Sequence, residues 1–184
     1  MINKILVAID NSMDSISVFN LAVTLARSTD ASLMLLHVFS EEDIDYPILP
    51  TYAYYSMLKG NDDGIIQQKF AEYEQRGMEF LQDLSRKAIA KGIDTEYVQL
   101  DGAPEQEICE LADSWSADLI IVGSRGLKGL KEMFIGSVSN YVTHHAPCSV
   151  LIARTEEDPD SISEISVPMD LSENETMEAA TPSQ

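Results

Sequence analysis

The chain has 184 residues, of which 45% are hydrophobic, and a formal net charge of −19 at pH 7. This length and apolar content suffice for one domain with a full core, so the fold needs neither disulfides nor a structural metal. The large negative charge argues against binding to nucleic acid or to an anionic membrane, because both would repel the protein.

Short apolar runs alternate with helical patterns over the first 154 residues, which predicts βαβ units and a parallel sheet. The expected strands cover 4–9, 32–39, 95–100, 119–122 and 149–153. The expected helices cover 15–27, 65–91 and about 103–116, and a fourth helix begins at residue 137. The predicted fold class is therefore α/β, a single domain with right-handed crossovers.

Two segments stand apart from this alternation. The loop 40–63 holds four tyrosines between acids and prolines, and both a lid or interface and disorder are open interpretations. Residues 155–184 contain nine acidic residues, no Lys or Arg and no aromatic residue, which predicts a flexible acidic tail after a domain over 1–154. An inert solubilising tail is favoured, and an apolar island at 162–167 keeps partner docking open.

Neither the cysteines nor the N-terminus indicates an exported protein. Cys109 and Cys148 have no metal-binding or redox spacing, and we interpret them as small buried thiols in a reducing compartment. The first strand begins without the basic segment and cleavage site of a signal peptide, and no apolar run has the length of a membrane span. The expected location is the cytoplasm.

A glycine-rich segment follows the fourth strand, with glycines at positions 123, 126, 129 and 136. Glycine permits positive φ and close approach to a ligand, Ser137 is expected to cap the next helix, and the N–H groups at that helix start would face an anion. Arg125, with Lys128 and Lys131, offers the positive charge that a polyphosphate needs. The spacing matches neither a Walker loop nor the Rossmann fingerprint. A phosphate-binding loop is favoured over a merely flexible connection.

Two further positions lie where strands end. Asp10 follows the first strand, where its carboxylate could accept hydrogen bonds from a ribose or an adenine amine; a helix-cap or turn role is equally weighted. Val38 ends the second strand, where its backbone could bond an adenine edge, although a core valine is the default. In an open parallel sheet, ligands bind beyond the carboxyl ends of the strands where strand order reverses.

No arrangement typical of a hydrolase is visible. The sequence contains no Ser/His/Asp set, and neither cysteine has a histidine partner at a recognisable spacing. His37 is interpreted as a core or edge residue. The adjacent His144 and His145 are not expected to bind a metal, because neighbouring residues on a helix point apart.

Residues 1–154 resemble the universal stress protein family. Its nucleotide-binding members carry Gly-x2-Gly-x9-Gly-Ser/Thr, and Gly123, Gly126, Gly136 and Ser137 match every position. The strand that leads to Asp10, the Leu-His-Val run that ends at residue 38 and the closing His-Ala-Pro-Cys run are also similar. The tail and much of the tyrosine-rich loop lie outside the resemblance.

The resemblance implies a Rossmann-like sheet of the adenine nucleotide alpha hydrolase type, with strand order 3-2-1-4-5 and helices on both faces. It implies a homodimer that pairs through the last strand, 149–153, and ATP or AMP as ligand, with Mg²⁺ as an optional companion of ATP. The implied site residues are Asp10 and Val38 for adenine and ribose, Val122 and Gly123 along the nucleotide, and Gly126, Gly136, Ser137 and Val138 for phosphates.

The leading hypothesis is an adenine-nucleotide-binding regulatory homodimer of the stress response that acts on an unidentified protein partner. At most weak ATP hydrolysis is expected, since no Walker-type Lys and no clear base for a water are present. Two alternatives stay open. One is a slow ATPase or phosphotransferase in which Asp10 or Asp14 holds Mg²⁺, and the other is a dimeric scaffold whose pocket stays empty.

Overall fold

A computed structural model describes residues 1–10, 12, 14–40, 65–124 and 135–154, without the side chains of 65–67. Within these ranges the chain forms five strands and four helices. The strands are β1 (Lys4–Ala8), β2 (Ser32–Phe39), β3 (Thr95–Asp101), β4 (Leu119–Gly123) and β5 (Ser149–Ala153). The helices are α1 (Ser15–Thr29), α2 (Ile65–Ile89), α3 (Pro104–Trp115) and α4 (Ser137–His145). Residues 41–63 of the predicted loop and the acidic tail lie outside the described residues.

The five strands form one parallel sheet in the order β3-β2-β1-β4-β5, which confirms the predicted fold class. The central strand β1 pairs with β2 on one side and with β4 on the other; Ile5, for example, lies opposite Leu33 and Leu119. The chain therefore builds outward from β1 to β3 and then returns to the opposite side of β1. Strand order reverses between β1 and β4, and the carboxyl ends of these two strands flank the resulting crevice.

Alternate residues of the sheet face two separate cores. On one face, α1 and α2 cover the sheet, and the buried residues include Ile5, Val7, Phe19, Leu35, Leu81 and Ile121. On the other face, α3 and α4 cover it, and the buried residues include Leu6, Leu36, Ile108, Ile120 and Val142. Each fully buried Leu or Ile contributes about 1.5–3 kcal/mol, so the central strands are fixed from both sides.

Three helices end on a residue in the left-handed conformation. Gly92 has φ +82° after α2, and its N–H donates to the carbonyl of Ile89 while the N–H of Ile93 donates to that of Ala88. This pair of bonds is a Schellman motif, which satisfies carbonyls at a helix end. The helix ends at Ile89, two residues before the predicted end, because residues 90–92 form the closing turn. Asp30 and Ser116 take the same conformation without being glycine.

No helix in the described part of the chain is both long and apolar enough to cross a membrane.

Asp118 fastens the amino ends of β1 and β4. Its Oδ2 accepts hydrogen bonds from the backbone amides of Asn3, at 2.7 Å, and Lys4, at 3.1 Å. These two bonds, with that from Asn3 the stronger influence, lower the pKa of Asp118 below its ordinary value. Lys4 adds a second tie, because its Nζ donates to the carbonyl oxygen of Trp115 at 3.0 Å.

We expect Asp118→Asn to destabilise the fold at neutral pH, by an amount that shrinks in acid. Because the folded-state pKa lies below the unfolded value, the carboxylate stabilises fully above the unfolded pKa and loses that contribution as the pH falls through the folded one. Urea unfolding between neutral pH and about pH 3 measures this. The exposed Asp113→Asn is the control. A gap between Asp118→Asn and wild type that stays constant over this range would contradict the assignment.

Gly77 lies in the interior of α2, where glycine costs about 1 kcal/mol relative to alanine. Gln99 of β3 lies against this glycine, and its Nε2 donates to the carbonyl of Glu74 at 3.3 Å. A Cβ at position 77 would lie 2.8 Å from Gln99 Oε1. The glycine therefore makes room for the contact between helix and edge strand.

A double-mutant cycle tests this explanation. Gly77→Ala should be more favourable by about 0.5–3 kcal/mol in a Gln99→Ala background than in the wild type. The gain in helix propensity is the same in both backgrounds, and only in the wild type must the added methyl group displace the Gln99 amide. Urea unfolding of the four proteins gives the coupling energy. Equal effects of Gly77→Ala in both backgrounds would show that Gln99 is not the reason for the glycine.

Candidate functional site

The crevice between β1 and β4 gathers most of the predicted site residues that the structure describes. Asp10 follows β1 by two residues, and Gly123 is the last residue of β4. Val38 is the penultimate residue of β2, the other neighbour of β1. Since the carboxyl ends of parallel strands lie at the same end of the sheet, these three positions are on the same side of the molecule.

Asp10 is held by local hydrogen bonds. Its backbone N–H donates to Ser15 Oγ at 3.0 Å, and its Oδ1 accepts from the N–H of Ser12 at 3.1 Å. The hydroxyls of Ser12 and Ser15 also donate to Oδ1. The hydrogen bond from the Ser12 N–H to the Asp10 carboxylate forms an Asx turn. Asp14, not Asp10, occupies the N-cap position of α1. The turn interpretation of Asp10 is thus confirmed, and its contact with a ligand stays a prediction.

The two ends of the glycine-rich segment are bonded to each other. The N–H of Gly136 donates to the carbonyl of Ser124 at 3.0 Å, and the N–H of Ser124 donates to that of Ala153 at 2.8 Å. Ser139 Oγ of α4 donates to the carbonyl of Gly123 at 2.5 Å. The N-terminus of α4 is therefore fixed beside the end of β4. Arg125 and Gly126, like the rest of 125–134, lie outside the described residues.

The start of α4 differs from the prediction in two details. Gly136, not Ser137, occupies the N-cap position, and Ser137 is the first helical residue, with an exposed side chain. Gly136 has φ −58°, an ordinary value, so positive φ is not the reason for glycine at this position. The backbone amides of Ser137 and Val138 belong to the first turn, where N–H groups have no intrahelical acceptor and the helix dipole favours an anion.

Val38 and Val122 are core residues. Their side chains are 8% and 2% exposed, and both belong to the core under α3 and α4. The default interpretation of Val38 is confirmed. Any ligand contact at these two positions would mainly involve backbone groups.

Sequence reasoning missed the buried serines that hold this edge together. Ser15 is 2% exposed and Ser139 is 5% exposed. Each lies in the first turn of the helix that follows β1 or β4, and each bonds a backbone group at or just after the end of that strand. A serine in the first turn of a helix is a common polar residue, so its sequence position alone does not reveal a buried bond of this kind.

The remaining titratable candidates lie outside this arrangement. His145 stacks on Tyr141 with ring centroids 3.9 Å apart. Among residues that the structure describes, no group of three or more His, Cys, Asp or Glu could hold a metal ion. Cys109 and Cys148 are half-buried instead of buried, and burial raises the pKa of both thiols. A raised pKa disfavours the reactive thiolate at neutral pH.

The fold and crevice define an α/β protein of the open, doubly wound class, a class whose ligands commonly bind at the reversal of strand order. The sequence model of the universal stress protein family matches residues 1–154. The chain belongs to the universal stress protein family.

Two relatives support this membership along nearly their whole length. Universal stress protein YxiE of Bacillus subtilis is 38% identical over 154 residues, which are 84% of this chain and 100% of the relative. Universal stress protein Sll1388 of Synechocystis is 36% identical over 151 residues, which are 82% of this chain and 97% of the relative.

Solved structures share the fold. A universal stress protein in complex with cAMP has a TM-score of 0.54 and 24% identity, and the match covers 84% of this chain and 98% of that one. The Arabidopsis thaliana family protein At3g01520 with AMP bound has a TM-score of 0.56 and 21% identity, and the match covers 88% of this chain and 97% of that one. The hypothetical protein MJ0577 has a TM-score of 0.65 and 24% identity, and the match covers 85% of this chain and 98% of that one.

Removal of the Ser139 hydroxyl should loosen the end of β4. We expect Ser139→Ala to lower the free energy of unfolding by about 1–3 kcal/mol, because the carbonyl of Gly123 loses its partner. Thr143→Ala is the control, since that exposed residue's hydroxyl bonds only within α4 and its loss should have a much smaller effect. Urea unfolding measures both variants. Equal losses would contradict a special role for Ser139.

Proposed function

We propose that the chain binds an adenine nucleotide, ATP or AMP, at the crevice between β1 and β4 and acts as a nucleotide-responsive regulatory protein of the stress response. The observation that carries the proposal is the bonded junction of Ser124 and Gly136, which fixes the start of α4 beside the last residue of β4. A helix N-terminus in this location favours phosphate groups.

The charges at the crevice support one orientation of the nucleotide. The phosphates would lie beside Gly136, against the backbone amides of Ser137 and Val138, with Arg125 and Gly126 completing the phosphate loop. The Asp10 carboxylate accepts hydrogen bonds and repels phosphate, so it suits the hydroxyls of a ribose or the amine of adenine. The backbone of Val38 would bond the adenine edge. Val122 and Gly123 would line the space between these ends.

Two comparisons add support. The Arabidopsis thaliana protein has AMP bound, and a second structural neighbour is in complex with cAMP. Both ligands are adenine nucleotides. The glycines and the serine of the family's nucleotide-binding pattern are all present in this chain. We therefore propose binding as the primary activity, with Mg²⁺ accompanying ATP and at most weak hydrolysis. The proposed setting is the cytoplasm, and the proposed output is an altered contact with a protein partner.

We also propose a homodimer that pairs through β5. This strand lies at one edge of the sheet, and its central residues Val150, Leu151 and Ile152 are only half-buried. An edge strand with exposed apolar side chains is a template for pairing with another chain. The opposite edge strand, β3, exposes Glu96 and Asp101, and charges of this kind discourage pairing.

Nucleotide affinity and its dependence on phosphate test the proposed site. Titration calorimetry of the nucleotide-stripped protein should give a Kd for ATP or AMP on the order of micromolar. Gly136→Val should weaken ATP and AMP at least about tenfold and adenosine much less, because the added branches obstruct the phosphate end alone. Asn140→Val, at an exposed position one turn further along α4, is the control.

Each result has a separate meaning. Absence of heat with ATP and AMP for the folded, stripped wild type would overturn nucleotide binding. Equal losses for adenosine and ATP in Gly136→Val would overturn the placement of the phosphates at α4. Steady release of phosphate from ATP and Mg²⁺, lost in Asp10→Ala while binding is retained, would favour an ATPase.

The dimer has its own test. Leu151→Lys should convert the dimer to a monomer in light scattering after gel filtration, because two lysines would meet at the two-fold axis of paired β5 strands. Glu96→Lys, on the opposite edge strand, should leave the dimer intact. A wild type that is monomeric at tens of micromolar, or a Leu151→Lys variant that stays dimeric, would contradict the proposed interface.

A further inference from the structure

Ser15 connects the end of β1 to the carboxylate that follows it. The hydroxyl is in contact with Asp10 twice, since its oxygen accepts the backbone N–H at 3.0 Å and its proton is donated to Oδ1. The residue is 2% exposed, so water does not compete for these bonds. A polar side chain this deeply buried makes bonds that the fold requires or that a site uses.

The hydrogen bonds on Asp10 are unevenly distributed over its two oxygens. Oδ1 accepts from the Ser12 amide, the Ser12 hydroxyl and the Ser15 hydroxyl. A carboxylate oxygen has two lone pairs, so three donors saturate Oδ1. None of the described residues donates a hydrogen bond to Oδ2. A ligand donor that approaches Asp10 therefore meets Oδ2.

The two serines also fix the rotation of the carboxylate. Immobilising a mobile side chain reduces binding affinity when a ligand has to do it. Here the serines hold the carboxylate before a ligand arrives, and this preorganisation is worth severalfold in affinity. The Ser12 hydroxyl bonds only the Asp10 carboxylate. The Ser15 hydroxyl also accepts the backbone N–H of Asp10, so it connects the carboxylate to the backbone at the end of β1.

We propose that Ser15 is a positioning residue of the nucleotide site, which orients the Asp10 carboxylate so that Oδ2 is presented to hydroxyl or amine donors of the ligand. This inference rests on the proposed nucleotide binding. It adds a residue that lies within α1 and touches no ligand itself. Its effect on affinity passes through Asp10 alone.

The competing explanation is that Ser15 only stabilises the turn between β1 and α1. A double-mutant cycle separates the two roles. In an Asp10→Ala background, the residue 10 amide can still donate to Ser15, so the structural bond remains while the carboxylate is gone. A structural effect of Ser15→Ala therefore persists in that background, and a positioning effect disappears.

The experiment measures Kd values for ATP and AMP by calorimetry in wild type, Ser15→Ala, Asp10→Ala and the double variant, with thermal unfolding of each. Ser15→Ala should weaken both ligands about fivefold when Asp10 is present and leave Kd unchanged when it is absent. Ser85→Ala is the matched control, because Ser85 is also a buried serine, 3% exposed, whose hydroxyl bonds a backbone carbonyl in another part of the fold. It should lower stability without changing Kd.

Other results would overturn the inference in distinguishable ways. Equal weakening by Ser15→Ala in both backgrounds would make Ser15 merely structural. Nucleotide binding by the wild type that is unaffected by Asp10→Ala would remove Asp10 and Ser15 from the site and leave the proposed function standing. No binding by the folded, stripped wild type would overturn the proposed function together with the inference. A crystal structure of Ser15→Ala in which the carboxylate keeps its orientation would also contradict positioning.

Discussion

The pairing of β1 with both β2 and β4 is the constraint on which the rest of the structure depends. Ile5, Leu6 and Val7 of β1 are fully buried, and the two faces of this strand belong to different cores. A strand held from both faces and both edges cannot shift its register without exposing apolar side chains. The reversal of strand order beside it therefore positions the segments that follow β1 and β4 on a rigid base.

The segments that follow β1 and β4 are held in place by similar hydrogen bonds. A buried serine in the first turn of α1 bonds the Asp10 amide, and a buried serine in the first turn of α4 bonds the Gly123 carbonyl. In both cases the helix is tied to the backbone that precedes it by one side chain. Ligand-binding groups are commonly carried by loops on a rigid scaffold. Here the two serines hold the first residues of each loop in place, so these residues form part of the rigid scaffold.

The edges of the sheet differ in a way that bears on assembly. On β3, charged side chains are exposed, and Gln99 connects the strand to α2. On β5, the apolar residues of the strand are only half-covered. With a net charge of −19, copies of the chain repel one another at long range, so stable pairing requires apolar contact to exceed that repulsion. The proposed dimer uses β5 for this purpose, because the strand Ser149–Ala153 contains no charged residue.

The sequence by itself determined the element types, because apolar runs and helical stripes repeat with the periods of strands and helices. The spacing of Gly123, Gly126, Gly136 and Ser137 also indicated the family. The resemblance to that family in turn implied the strand order. Only the tertiary structure decided that Gly136 caps α4 and that Asp10 is held by Ser12 and Ser15. Caps and buried hydrogen bonds depend on the relative placement of strand and helix, and no single-residue pattern encodes that placement.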